Sequence, residues 1–394
     1  MMDNLVIIGA GECGVRAAFA LRENGYAGSL TLIGREAALP YERPPLSKSG
    51  SIRPIRPAAA YEDDRIVLRL DREVHHIDRS NQSVILSSGE VLHYDRLLLA
   101  TGARARLFPS MDGCMTLRTD RDAEAILSRI TRGAKIGVIG GGFIGLELAA
   151  LARTTGVEVT VFEAGPRLLG RAVPAQIAQV LEERHLAEGV CLEFNAAVTS
   201  ASSTEINLAD GRSVPFDTVI AGVGSVPETD LAAAAGLVVN DGIVVDADFR
   251  TSYGQIFAAG DCCAFDWRGK RVRLESWKAA QDQGEHAALA MLGRSASYNK
   301  VPWFWSDQFD LGLQVAGIFD LRAPIRSRSA NTDSMIVFQC DDAQRLVAAA
   351  GIGPGNSTSK DIKVLEKLIE RGGQVDADQL ADHSQNLKRL LTAA

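Results

Sequence analysis

The chain has 394 residues, 46% apolar and 23% charged, with a formal net charge of −7 at pH 7. That length accommodates two or three domains, and the acidic balance excludes a general nucleic-acid binder, which needs a basic surface. No apolar run reaches the ~18 residues of a transmembrane helix.

The start, Met1-Met2-Asp3-Asn4, has no basic n-region and leads directly into a strand, so the expectation is a cytoplasmic protein without a signal peptide. Six cysteines (Cys13, Cys114, Cys191, Cys262, Cys263, Cys340) show neither CxxC nor CxxxxC spacing, which argues against a disulfide framework, a zinc ribbon or a cysteine-ligated cluster. Cys262 and Cys263 are adjacent and read as reduced thiols rather than a vicinal disulfide. His75-His76 reads as a surface pair, and no metal site is expected.

In chain order, Leu5-Val6-Ile7-Ile8 reads as a strand feeding Gly9-Ala10-Gly11-Glu12-Cys13-Gly14, which opens a helix spanning Val15 to Asn24. In that context the first glycine makes the tight turn, the second admits a pyrophosphate, and the third packs helix against strand. The helix N-terminus adds free amides and positive dipole for the phosphates. A second strand, Leu30–Ile33, precedes a loop rich in proline and arginine, Leu39 to Lys48. Residues 66–99 alternate short apolar runs with turns, as a β-meander does, and end in a strand and turn, Leu97 to Gly102.

Residues 110–236 repeat that layout. Ile136-Gly137-Val138-Ile139 leads into Gly140-Gly141-Gly142-Phe143-Ile144-Gly145, followed by a helix to about Thr154, a strand Val157–Glu163, a helix around 174–188 and a closing strand from Val219 to Gly224. Two glycine loops in context imply two dinucleotides held at once, the usual purpose being to pass electrons from a nicotinamide to a flavin. The segment from Gly242 to Asp261 returns to the first domain, and from about residue 309 the pattern is strand-rich and ends in helices. The expected division is therefore 1–109 and 237–308 for a discontinuous first domain, 110–236 for a second and 309–394 for a C-terminal α+β domain, and the family resemblance given next implies that the first binds FAD and the second NAD. The fold class is α/β, with two Rossmann-like domains of the glutathione-reductase type.

Over nearly its whole length the chain resembles the FAD-dependent NADH:ferredoxin reductases of aromatic-ring dioxygenase and bacterial cytochrome P450 systems, a family that includes rubredoxin reductases and apoptosis-inducing factor. The resemblance rests on both glycine loops, on Tyr41-Glu42-Arg43-Pro44-Pro45-Leu46-Ser47-Lys48, on Ala100-Thr101-Gly102, on Ile256–Asp261, on Glu275-Ser276-Trp277 and on Val301 through Gln308. The RPPLSK and PWFWSDQ strings are the specific ones; the glycine loops belong to a vast superfamily.

Gly9, Gly11 and Gly14 are expected to cradle FAD, with Ala100, Thr101, Gly102, Gly260, Asp261 and Trp277 along it. Glu36 stands in the place of the acid that binds the adenosine ribose, while Arg35 occupies the position where family members often carry Asp. Arg43 and Lys48 read equally as solvated loop cations or as flavin-loop residues; the resemblance implies the latter, with Lys48 near the flavin N5. The helix beginning near Lys278 is expected to aim its N-terminus at the flavin.

Gly140, Gly142 and Gly145 take the nicotinamide dinucleotide. Glu163 accepts its ribose hydroxyls and disfavours a 2′-phosphate, hence NADH over NADPH, although Arg167 and Arg171 lie nearby. Glu147 by itself reads as a first-turn acid; the resemblance pairs it with Lys48 across the hydride-transfer site, with Trp305 beside them. Trp303 reads as a core aromatic.

The implied activity moves electrons from NADH through FAD to a small [2Fe–2S] ferredoxin that feeds a terminal oxygenase. The alternatives are a rubredoxin or nitrite-reductase-type acceptor, or a slow NADH-sensing binding protein. Arg53, Arg56, Arg104 and Arg106 are candidates for docking an acidic ferredoxin. No nucleic acid or membrane partner is expected.

Overall fold

A computed structural model describes residues 4–294, 297–329 and 333–393; Met1-Met2-Asp3 of the leader reading lie outside the described residues. The chain divides into two compact units. One comprises residues 1–44, 52–104 and 225–300, the other 45–51, 105–224 and 301–394.

The first unit is organised on a parallel five-stranded sheet in the order Ile256–Ala258, Arg96–Leu99, Asn4–Ile8, Ser29–Ile33, Val67–Arg69. Its central strand is a continuous apolar run because both faces are covered: Leu5, Val6, Ile7 and Ile8 are all buried. Ile7 registers with Leu32 on one side and Leu98 on the other, and each such side chain contributes ~2–3 kcal/mol by leaving water. The first helix runs Glu12–Glu23, starting earlier than the apolar pattern suggested because its opening turn is part of the glycine loop. Its Ala17-Ala18-Phe19-Ala20-Leu21 stretch is buried, and it stops at Asn24 and Gly25, the latter at φ +83°. The strands Val74–Asp78, Ser83–Leu86 and Val91–His93 form the expected antiparallel meander.

The second unit repeats the plan with a parallel four-stranded sheet, Cys191–Phe194, Glu158–Glu163, Lys135–Ile139, Thr218–Ala221. Its helices Phe143–Thr154 and Ala175–Ala187 follow the glycine loop and the second strand. A second layer is an antiparallel five-stranded sheet, Trp303–Gln308, Leu311–Gly317, Leu346–Pro354, Met335–Cys340, Arg326–Ser329. The helix Ser359–Arg371 packs on it through Ile362, Leu365, Leu368 and Ile369.

The sequence reading placed Trp303–Gln308 with segment 237–308. The structure instead pairs all six of its residues antiparallel with Leu311–Gly317. A two-residue turn with Phe309 at φ +55° makes them one hairpin, so this strand belongs to the C-terminal sheet.

All six cysteines are free thiols, and burial pushes Cys262 and Cys263 up and away from the reactive thiolate.

Candidate functional site: two glycine loops and a buried carboxylate

In the first unit, Gly9 sits at φ +109°, and a Cβ there would fall 2.1 Å from the Ala100 carbonyl oxygen. A Cβ at Gly14 would fall 1.9 Å from the Gly9 oxygen. These two glycines are demanded by backbone packing. Gly11 differs: a Cβ there meets nothing within 4 Å, and it caps the helix without a side-chain hydrogen bond. An open face beside a helix N-terminus is the shape a pyrophosphate requires, so the residues fit FAD.

Glu36 follows the second strand and is held at both oxygens, by the Tyr41 hydroxyl at 2.5 Å and by Arg43 Nη2 at 2.6 Å. Burial raises its pKa, but the Arg43 charge and the Tyr41 hydroxyl outweigh it and hold the carboxyl below its ordinary range. Arg43, expected on the flavin, is thus engaged with Glu36, while Arg35 is largely exposed.

The Thr101 hydroxyl donates to the Glu228 carbonyl at 2.6 Å, and Gly102 is at φ +72°. Gly260 (φ +84°) gives its N–H to the Gln283 side chain at 2.8 Å and leads into half-buried Asp261. The helix Trp277–Met291 is capped by the Ser276 hydroxyl, and Trp277 donates its indole N–H to Glu12 at 2.9 Å. Gln281 takes the other Glu12 oxygen at 2.8 Å. Sequence reasoning missed Glu12; its signal was a carboxylate inside an anion-binding loop, which needs donors to hold it aside. Burial raises its pKa despite them.

In the second unit, Gly140 (φ +104°) would place a Cβ 2.5 Å from the Gly222 oxygen, and Gly145 would place one 2.4 Å from the Gly140 oxygen. Gly142 again faces open space, with its nearest neighbour at 3.8 Å. The residues fit a second dinucleotide. Glu163 accepts the Gly141 and Gly165 N–H groups, each at 2.7 Å, one per oxygen. Each oxygen keeps lone pairs for a ribose. Arg167 is spent on the carbonyls of Leu168, Gly170 and Val173, and Arg171 is exposed.

The same unit holds the Lys48–Glu147 pair. Pro44 and Pro45 fix φ and start a short 3₁₀ turn, Pro44–Ser47. The Pro45 carbonyl then gathers the N–H groups of Lys48, Ser49 and Gly50 within 2.9–3.1 Å. Lys48 Nζ lies 2.7 Å from Glu147 Oε1 and 3.6 Å from Asp307. Glu147 is only 6% exposed, so its charge needs several donors. It receives three: Lys48, the Ser306 hydroxyl at 2.6 Å, and the Ser47 hydroxyl on its other oxygen.

Trp305 donates its indole N–H to Asp307 at 3.0 Å and stacks on Trp303, with ring centroids 5.5 Å apart. Trp303 packs against the C-terminal core, as expected of a core aromatic. Ser47, Ser306, Gln308 and His185 were not anticipated as site residues. Their signal was alternation: Ser306 and Gln308 are polar residues on the buried face of a strand.

Residues 3–284 match the family model described as pyridine nucleotide-disulphide oxidoreductase, and residues 303–391 match the one described as reductase C-terminal. The chain is 39% identical to the ferredoxin–NAD(+) reductase component of the anthranilate 1,2-dioxygenase system of Burkholderia cepacia, over 99% of both. It is 34% identical to putidaredoxin reductase of Pseudomonas putida, over 100% of this chain and 97% of that one. Among solved structures, the covalent putidaredoxin reductase–putidaredoxin complex is similar at a TM-score of 0.93 and 34% identity, covering 100% and 99% of the two chains.

Proposed function

Because this chain belongs to the pyridine nucleotide-disulphide oxidoreductase family, we propose that it is the ferredoxin–NAD(+) reductase of an oxygenase system. It oxidises NADH to NAD⁺ and a proton and reduces two molecules of a [2Fe–2S] ferredoxin by one electron each. That ferredoxin feeds a Rieske oxygenase or a cytochrome P450. The observation that carries the reading is the pair of glycine loops, each closing on its own parallel sheet with an open second glycine. FAD, when bound, supplies the step that accepts two electrons together and releases them singly.

The protein's part is binding, orientation and electrostatics. Gly9, Gly11, Gly14, Ala100, Thr101, Gly102, Gly260, Asp261 and Trp277 would hold FAD, with Glu36, braced by Arg43, at the adenosine ribose. Gly140, Gly142 and Gly145 would hold the NADH pyrophosphate, and Glu163 its ribose hydroxyls. Glu163 repels a 2′-phosphate, and Arg167, tied to three carbonyls, does not offset it. Lys48, Glu147 and Trp305 would line the hydride-transfer site, with the Lys48 cation favouring the gain of negative charge during reduction.

Among the described residues no helix is long and apolar enough to cross a membrane, and the place of action we assign is the cytoplasm. Of the docking candidates, Arg104 already pairs with Glu228 at 2.8 Å and Arg56 lies over the Phe19 ring at 5.1 Å. Arg53 is the candidate to test first.

The reading is tested by NADH-driven cytochrome c reduction with the FAD-loaded protein, with and without a [2Fe–2S] ferredoxin from the same organism. The expected result is a large stimulation that weakens with added salt. Rapid flavin reduction with no response to ferredoxin, but a response to rubredoxin, would replace the acceptor.

A further inference from the structure

We propose that Ser306, Gln308 and His185 form a one-directional hydrogen-bond relay that positions the Glu147 carboxylate for hydride transfer; the proposal rests on the assignment of Lys48 and Glu147 to that step. The four side chains come from three elements of one unit: Glu147 from the helix Phe143–Thr154, Ser306 and Gln308 from the strand Trp303–Gln308, and His185 from the last turn of the helix Ala175–Ala187. His185, Gln308 and Ser306 are 0%, 1% and 1% exposed. Water therefore does not compete for their hydrogen bonds.

The contacts are continuous. His185 Nε2 lies 2.8 Å from Gln308 Oε1, Gln308 Nε2 lies 3.0 Å from Ser306 Oγ, and Ser306 Oγ lies 2.6 Å from Glu147 Oε1. Each contact needs one donor and one acceptor, and this sets the direction of the whole chain. Glu147 as a carboxylate only accepts, so the Ser306 proton points at it. Ser306 oxygen then accepts from the Gln308 amide N–H, which turns the Gln308 carbonyl toward His185. His185 must in turn carry its proton on Nε2.

His185 Nδ1 is buried without a hydrogen-bond partner among the described residues. Its tautomer is thus chosen by Gln308 and by the lower cost of burying a bare lone pair than a bare N–H. Burial lowers the His185 pKa, in keeping with a neutral ring, and the Phe309 ring lies edge-on at 5.0 Å.

The reverse arrangement is also internally paired from His185 to Ser306, with His185 protonated on Nδ1 and the Gln308 amide flipped. It would hand the Ser306 proton to Gln308 and set two acceptors face to face at Glu147. The relay excludes that state. Its consequence is that Glu147 keeps one rotamer while Lys48, which meets the same Oε1 atom as Ser306, is engaged with substrate and cofactor.

The test is stopped-flow loss of flavin absorbance with NADH, separating the saturating rate from the NADH concentration dependence, in FAD-loaded variants. Ser306→Ala should lower the saturating rate on the order of tenfold, the loss expected when a hydrogen bond to a buried charge is removed. Ser306→Thr, which restores the hydroxyl on a β-branched side chain suited to a strand, should recover most of it. Gln308→Leu should slow the step in the same sense. In a Glu147→Gln background, Ser306→Ala should change the rate less than about twofold, because the charge it serves is gone.

Equal slowing by Ser306→Ala in both backgrounds, or no slowing with Glu147 intact, overturns the relay. If Glu147→Gln alone leaves flavin reduction by NADH unchanged, the assignment of the hydride-transfer site falls, and the relay with it.

Discussion

The two glycine loops share a backbone and differ in what surrounds their second half. After Gly11 the first loop continues Glu12-Cys13. Cys13 is buried, and the Glu12 carboxylate is tied at both oxygens by Trp277 and Gln281. At the same two places the second loop has Phe143, packed edge-on against Phe304 at 5.2 Å, and Ile144, which is 44% exposed. The acids that follow differ too. Glu36 is neutralised by a guanidinium, whereas among the described residues Glu163 is held by the amides of its own loop region. A loop clamped by a second helix suits a cofactor that stays, and an open loop whose acid is held by backbone amides suits a nucleotide that comes and goes each turnover.

The comparison breaks most cleanly at the third glycines. Gly14→Ala forces a Cβ to within 1.9 Å of the Gly9 oxygen, so the purified protein should retain less than about a tenth of its FAD and unfold at lower temperature. Gly145→Ala forces one to within 2.4 Å of the Gly140 oxygen. It should keep its FAD while the NADH concentration needed for half-maximal flavin reduction rises at least about tenfold. Flavin-to-protein ratios and stopped-flow titrations decide this, and equal FAD loss in both variants would show that the loops are not specialised.

Next in size is Lys48→Ala. It removes one of three donors from a buried carboxylate, so flavin reduction should slow roughly 10–100-fold while FAD content stays near that of the unaltered protein. Unchanged kinetics would sink the assigned role.

Glu163→Ala should have a narrower effect. It removes the carboxylate that we propose repels a 2′-phosphate and frees the Gly141 and Gly165 amides, so NADPH should improve relative to NADH on the order of tenfold in kcat/KM. An unaltered ratio would mean that discrimination lies elsewhere along the second loop.

Much of this was legible in the sequence because it depends on local geometry. A continuous apolar run, a glycine turn and an alanine-rich helix define each half-site within some thirty residues, and the parallel sheets follow from runs such as Leu5–Ile8 that are buried on both faces. What was illegible depends on pairing between segments far apart in sequence. That Arg43, read as a flavin-loop cation, also lies on Glu36 was not foreseen, because the pairing depends on how the loop folds back on the end of the second strand. Trp303–Gln308 was grouped with the segment before it, although a two-residue turn commits it to the strand after it. Around Glu147 the Lys48 partner was given by the family resemblance and is found at 2.7 Å, but the donors from residues 47 and 306 were not, and no periodicity links them; only the presence of polar residues on a buried strand face hinted that something there had to be satisfied.

The smallest effect is a pH dependence that separates the two acids of the first unit. The Glu36 carboxyl is held below its ordinary range by Arg43 and Tyr41. It therefore contributes stability that is fully present above the unfolded carboxyl value, near ~4.3, and is lost as pH falls through the depressed folded value. Glu12 is raised by burial, so its sign is opposite: protonation favours the folded form, and its unfavourable contribution fades as pH falls through the raised value. In thermal melts of the FAD-loaded protein, Glu36→Gln should cost a few degrees at neutral pH and lose less further stability than the unaltered protein below about pH 4. Glu12→Gln should change the melting temperature in the other direction over the window above the ordinary carboxyl value, where a buried charge has been exchanged for a neutral amide. Parallel acid limbs in both variants would mean that neither carboxyl titrates apart from the rest of the unit, and the contrast between a charge-paired and a clamped acid would be lost.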